Sequence, residues 1–372
     1  MKVLAIKIKR QQRDGMLTFL INSFFCFVIL LCVMLLILFI SGSVKRCMLS
    51  EDLNVVPRLN RLFLSIDLSS SARWEGFTGL NGDEIRHSMS DEELLWRASR
   101  SPQVVRSDSN GPPKVAFMFL AKGRLPLGPI WEKFFEGYRD FYSIYLHSFP
   151  TFNEKVSEFS TVEWGKASMI DAERRLLANA LLNFSNERFV LLSDTCIPLF
   201  NFTTIYNYLI NSSHSFIGSF DDPRPIGRGR YNKRMWPTIT ISDWRKGSQW
   251  LEVQRKLAID IISDKKYYPI FREHCKKPCY MDEHYFATLA TKLQPEMNSN
   301  RSLTWVDWST QGPHPATFRR NDISEEFLMR IRREANCTYN GRASSVCFLF
   351  ARKFHPNTLK PLLNIAPSLY GF

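Results

Sequence analysis

This chain has no glycine-rich phosphate fingerprint, no Asp-x-Asp pair, no internal repeat and no low-complexity tract. The first absence argues against a dinucleotide-binding or P-loop enzyme, in which backbone must approach a pyrophosphate at a glycine turn. The second removes the paired carboxylates that often hold a divalent metal on a diphosphate, so basic side chains would have to neutralise such a group. Charge is also missing, but only locally. Residues 17–40 carry none, and the uncharged stretch around them runs over 15–44.

That stretch is long enough for one membrane crossing at about 1.5 Å of rise per residue. Lys2, Lys7, Lys9, Arg10 and Arg13 precede it against one acid, Asp14, which places the N-terminus in the cytosol. A cleavable signal peptide would have a shorter apolar core, of roughly 7–15 residues, and a small-residue cleavage site. The expected organisation is a cytosolic tail over 1–16, a transmembrane signal-anchor over 17–40, a stem over 41–112 and a lumenal domain over 113–372. The stem ends in the breaker cluster Asn110-Gly111-Pro112-Pro113.

The formal net charge of +13 suits an anionic partner. On the lumenal side of a membrane that means a nucleotide-sugar, a phosphate or an acidic glycan rather than nucleic acid. Cys26 and Cys32 lie in the anchor; Cys47, Cys196, Cys275, Cys279, Cys337 and Cys347 would face an oxidising lumen, where disulfides persist. The cluster His274, Cys275, Cys279 and His284 has short zinc-like spacing, but bridged thiols are the better expectation there. Glycosylation sequons begin at Asn183, Asn201, Asn211, Asn300 and Asn336, all beyond the anchor.

From Lys114 onward strand and helix patterns alternate, which predicts an α/β domain with a parallel sheet. Strands are expected over 115–120, 141–147, 188–193 and 215–219. Helices are expected over 127–138, 166–182, 202–210, 249–262, 282–293 and 324–334. One further helix, over 90–100, opens with a capping-box arrangement at Ser90-Asp91-Glu92-Glu93 and would dock on the domain.

Ligands of open α/β sheets bind beyond the carboxyl ends of the strands. Those ends are Ala121-Lys122-Gly123-Arg124, His147-Ser148 and Asp194-Thr195-Cys196. Candidate neutralising bases are Arg224, Arg228, Arg230, Lys233 and Arg234 in one loop, with the pairs Arg319-Arg320 and Arg352-Lys353 farther on. Asp282 and Glu283 open a helix, where acids complement the dipole.

Together these segments resemble the core-2/I-branching β-1,6-N-acetylglucosaminyltransferase family, especially its plant branch. The resemblance rests on residues 114–120, Val162-Glu163-Trp164-Gly165-Lys166-Ala167-Ser168, residues 188–199, Trp244-Arg245-Lys246-Gly247-Ser248-Gln249-Trp250, Asp282-Glu283-His284-Tyr285 and residues 348–354. It implies a GT-A-type, Rossmann-like fold, a type II Golgi membrane protein, and inverting catalysis without a metal or other cofactor. The substrates implied are a UDP-sugar donor and a glycan acceptor. By position Glu283 is then the general base and Lys353 the diphosphate-binding lysine, with Arg319 or Arg320 as its partner. Lys122, His147, Glu173 and Asp194 are expected at the donor, and Gly247, Ser248 and Trp244 at the acceptor. The sugar implied is N-acetylglucosamine. The same family includes plant members resembling glucuronosyltransferases of arabinogalactan chains, and an inactive glycan-binding relative is a further alternative.

Overall fold

The computed structural model describes residues 89–103, 111–147, 162–310, 312 and 314–371. The expected tail, the anchor and most of the stem lie outside them. Among the described residues no helix is long and apolar enough to cross a membrane.

The first described helix, α1 (Asp91–Ser99), starts where Ser90 accepts a hydrogen bond from the Glu93 N–H. Its apolar side, Leu94 and Ala98, is fully buried in the main core, and Asp91 pairs with Arg175. The folded body therefore takes in this helix, ahead of the boundary read at Pro113.

Next come β1 (Lys114–Leu120), α2 (Gly128–Phe135), β2 (Tyr142–His147), α3 (Ala167–Leu181) and β3 (Asn186–Ser193). β2 and β3 pair in parallel with the two sides of β1, whose five central residues are all buried. A strand buried on both faces has no solvent side to alternate with, hence its unbroken apolar sequence. Phe117 of β1 packs against Trp131, Phe134 and Phe135 of α2, with ring centroids 4.9–6.2 Å apart.

After β3 the chain forms β4 (Ile197–Pro198) and α4 (Phe202–Ile210), then a long loop. The strand expected over 215–219 is reduced to isolated bridges at Ser215 and Phe216, with a third at Phe220. The helix expected over 249–262 divides into β5 (Glu252–Gln254) and α5 (Arg255–Ser263). β5 joins the sheet antiparallel to β3, giving the order β2-β1-β3-β5. The reason lies in a buried ion pair: Glu252 Oε2 sits 2.6 Å from Arg188 Nη2, and both side chains are almost wholly inaccessible. Helical geometry at 252 would leave the Arg188 guanidinium unpaired in the core, at a cost of about 3–5 kcal/mol.

The remainder contains α6 (Tyr268–His274), α7 (Met281–Leu293), β6 (Thr304–Val306), α8 (Glu325–Arg333), the hairpin β7 (Cys337–Tyr339) and β8 (Arg342–Ser344), β9 (Phe350–Arg352) and α9 (Leu359–Tyr370). β9 lies between β4 and β6 in a second small sheet, and α9 closes a separate apolar cluster beneath it. Cys275 is bonded to Cys279 and Cys337 to Cys347, while Cys196 is buried and, among the described residues, free. The zinc reading of this cluster is thereby excluded. His284 is buried, with Nδ1 2.8 Å from the Arg245 carbonyl.

Candidate functional site

In the strand order β2-β1-β3-β5 the connection leaving β1 runs to one side and the one leaving β3 to the other, opening a crevice at the carboxyl ends of these strands. A cleft of about 720 Å³ lies there. Lys122, His147 and Asp194 reach it from the three strand ends, and Glu283, Gly247, Ser248 and Lys353 line it from later elements.

Lys353 arrives from far along the sequence because β9 is zipped to the end of β3. Ile197 of β4 pairs with Ala351, and the Phe354 N–H donates to the Thr195 carbonyl at 3.0 Å. This brings the Arg352-Lys353 step alongside the Asp194-Thr195 turn. Burial pushes the Lys353 ammonium below its ordinary value, Arg352 and Lys122 push it further, and only Asp194 opposes. Arg352, also lining the cleft, lies 4.1 Å over the Trp250 ring and is likewise lowered by burial. Three cations crowded into a partly dry crevice make a receptive site for a bound polyanion.

On the opposite wall, α7 carries Glu283 in its first turn. Two cations grip one oxygen of this carboxylate: Arg230 Nη1 lies 2.6 Å and Lys246 Nζ 2.7 Å from Oε2. Burial raises the Glu283 carboxyl, but Lys246 and then Arg230 outweigh it and hold the group below the ordinary carboxylate value. Its neighbour Asp282 is displaced the other way. Burial, then the Glu283 charge, push it to about 6, offset only in part by its own backbone N–H and the Trp164 indole. Among the described residues neither Asp282 oxygen has a hydrogen-bond partner of good geometry.

The start of α7 is fixed by packing. The Gly247 N–H donates to the Glu283 carbonyl at 2.8 Å, and a Cβ at Gly247 would fall 1.9 Å from the Gly218 carbonyl oxygen. Gly165, at φ +76°, leaves room for the Tyr280 ring that precedes the helix. Trp244 is buried, stacked between Phe271 and His284, so the expectation that it meets an acceptor is corrected: it supports α7 from behind. Burial and then the Lys246 charge hold the His284 imidazole down to about 4, consistent with a neutral ring in that stack.

Three further expectations change. Arg319 and Arg320 are exposed and do not line the cleft; their backbone N–H groups bind Asp322 and Asn357, and Arg352 takes the place beside Lys353. Glu173 lies behind the cleft wall rather than on it, wholly buried and accepting from Gln249 Nε2 at 2.7 Å; burial drives its carboxyl well up, and the Gln249 bond recovers part of that. In the loop of bases, Arg224 pairs with Asp222, Arg228 with Asp221 and Arg230 with Glu283, while Lys233 and Arg234 are exposed. His147 does line the cleft. Burial and then Arg175 lower its imidazole to about 4, so it meets a ligand uncharged at neutral pH.

Arg352, named among the candidate bases, does line the cleft, whereas sequence reading missed Lys246 and two cleft-lining indoles, Trp164 at 40% and Trp308 at 58% exposure. Exposed aromatic faces inside a cleft are where sugar rings stack, since each indole pairs an apolar face with a polar edge. Nothing in the local pattern around Trp308 separates it from a core tryptophan such as Trp305, 8% exposed. Among the described residues no group of three or more His, Cys, Asp or Glu is placed to hold a metal ion. Of the sequon asparagines, Asn201, Asn211, Asn300 and Asn336 are exposed and Asn183 is half-buried.

Residues 115–332, more than half of the chain, match the family model described as Core-2/I-Branching enzyme. Over 301 residues the chain is 37% identical to a protein of rice, Oryza sativa subsp. japonica, named Glycosyltransferase BC10, covering 66% of this chain and 74% of that protein.

Proposed function

Since the chain belongs to the core-2/I-branching enzyme family and is a glycosyltransferase, we propose that it moves a sugar from a UDP-sugar to a glycan acceptor by direct, inverting displacement without a metal. The donor sugar is N-acetylglucosamine, as the family resemblance implies, and the reaction takes place in the Golgi lumen behind the anchor over 17–40. The observation that carries this reading is the placement of the Glu283 carboxylate on one wall of the cleft and of the bases Lys122, Arg352 and Lys353 on the other.

In this mechanism the acceptor hydroxyl oxygen attacks the anomeric carbon while its proton passes to Glu283. The bond from that carbon to the diphosphate breaks with its electron pair, and the charge gathers on the departing UDP. Lys353 and Arg352 stabilise that charge where it develops, the task a metal performs elsewhere. Arg230 and Lys246 hold Oε2, which leaves Oε1 for the acceptor. A carboxylate with a lowered pKa is a weak base, but the attacking hydroxyl turns strongly acidic once its oxygen begins to bond to carbon, so proton transfer comes late and remains downhill. The two cations thus trade basicity for a carboxylate that stays ionised in a mildly acidic lumen.

A second donor, UDP-glucuronic acid, is favoured by one feature: beyond Lys246, which is paired with Glu283, Lys122, Arg352 and Lys353 line the cleft, one base more than a diphosphate with two negative charges needs. A screen of UDP-sugars separates the two readings. The proposal as a whole is tested by Glu283→Gln, expected to lower transfer by about 10²–10⁴-fold while leaving UDP binding intact. Transfer at the wild-type rate by that variant would remove Glu283 from the mechanism.

A further inference from the structure

We infer that a recess beside the reaction cleft is a second subsite of the acceptor, built for a neutral sugar one or more units away from the residue that is glycosylated. The inference rests on the acceptor reading above. The recess holds about 370 Å³, within the range of small-ligand sites. Ser248, Val306 and Trp308 line both it and the cleft, so a single chain of sugars can run from one to the other over that shared wall.

The chemistry of the two spaces differs. Lys122, Arg352 and Lys353 line the cleft, whereas among the described residues no basic side chain lines the recess, and its one charged group there is the carboxylate of Glu334. A phosphate or a uronic acid placed there would lose its hydration without gaining a counter-charge, and would be repelled by Glu334. The recess offers the hydroxyls of Ser248, Ser302 and Thr304 together with the ring of Trp308. A neutral sugar needs both kinds of surface, since it carries apolar C–H faces and a hydroxylated rim.

The wall is also rigid. The Ser302 hydroxyl donates to the Trp250 carbonyl at 2.8 Å and accepts from the Thr304 N–H at 3.1 Å. Thr304 and Val306 belong to β6, which pairs in parallel with β9 so that Val306 stands opposite Arg352. Adjacent strands lie about 4.8 Å apart, so one small sheet sets the spacing between the leaving-group end of the cleft and the recess.

The test uses the full chain in detergent and neutral galacto- and xylo-oligosaccharides of one to four units as acceptors. The expected result is a KM that falls tenfold or more as the acceptor lengthens. Ala335→Trp, which fills the recess, is expected to return the KM of long acceptors to the short-acceptor value and leave the donor KM and short-acceptor kcat unchanged. Glu334→Lys, at an exposed position that tolerates charge reversal, is expected to shift preference toward acceptors carrying a uronic acid by several-fold. A KM independent of acceptor length, or an Ala335→Trp effect equal on short and long acceptors, would overturn the subsite. Absence of both transfer and UDP-sugar hydrolysis would instead overturn the acceptor reading beneath it.

Discussion

Lys246 Nζ lies 2.7 Å from Glu283 Oε2, and the backbone of the next residue, Gly247, donates to the Glu283 carbonyl. The loop before β5 therefore sets both the charge and the position of the carboxylate that opens α7.

The charge part is open to a pH experiment. Activity needs Glu283 ionised, so it is retained down to its lowered pKa and lost as the pH falls through that value. Lys246→Met removes the stronger lowering influence while burial still raises the group. The acid limb of the kcat/KM profile should move upward by about one pH unit. An unmoved limb would show that another group controls it.

The positional part is tested by Gly247→Ala. The added methyl would meet the Gly218 carbonyl oxygen at 1.9 Å and the Ala287 Cβ at 3.1 Å, so backbone must shift. We expect a loss of stability of about 1–3 kcal/mol by thermal melting and a fall in kcat of up to about 10²-fold, because small displacements of a reacting group are costly.

Across the cleft, Lys353→Ala should weaken UDP binding about tenfold or more by calorimetry, the loss expected for one charged contact. UDP binding should also raise the pKa of the lysine, which burial and its basic neighbours now hold down, and proton uptake on binding would report this in buffers of different ionisation enthalpy.

Asp282 provides a stability test independent of turnover. Its folded pKa of about 6 lies above the ordinary aspartate value of 3.8. The folded state therefore binds the proton more tightly, and stability falls as the pH rises from 3.8 through 6. Above that range the ionised group costs about 3 kcal/mol. Asp282→Asn should leave the melting temperature little changed near pH 4 and raise it at pH 7–8. A uniform shift at every pH would contradict that account.

Much of the sheet was legible in the chain because β1 and β3 are continuous apolar runs bounded by polar turns, and Ser90 and Asn201 announce helix starts by capping them. The 252–254 segment was read wrongly, since its identity depends on Arg188 64 residues away. Likewise α6 and α9 lacked a pattern distinct enough to be read locally. Of the site, Glu283 and Lys353 were found through family motifs. Arg352 was among the candidate bases, but Lys246 was not singled out although it stood inside a quoted segment, because its role comes from contacts across the fold.

What the residues fixed unaided was the alternation of strands and helices, the uncharged run at the N-terminus and the chemical types available for transfer, all properties of neighbours along the chain. Which base meets which acid was decided only on folding. Arg230 closed on Glu283 across 53 positions and Lys353 came to the end of β3 through β9. Charge pairing acts over a few ångströms in space, and the tertiary packing alone determines which distant side chains fall within that reach.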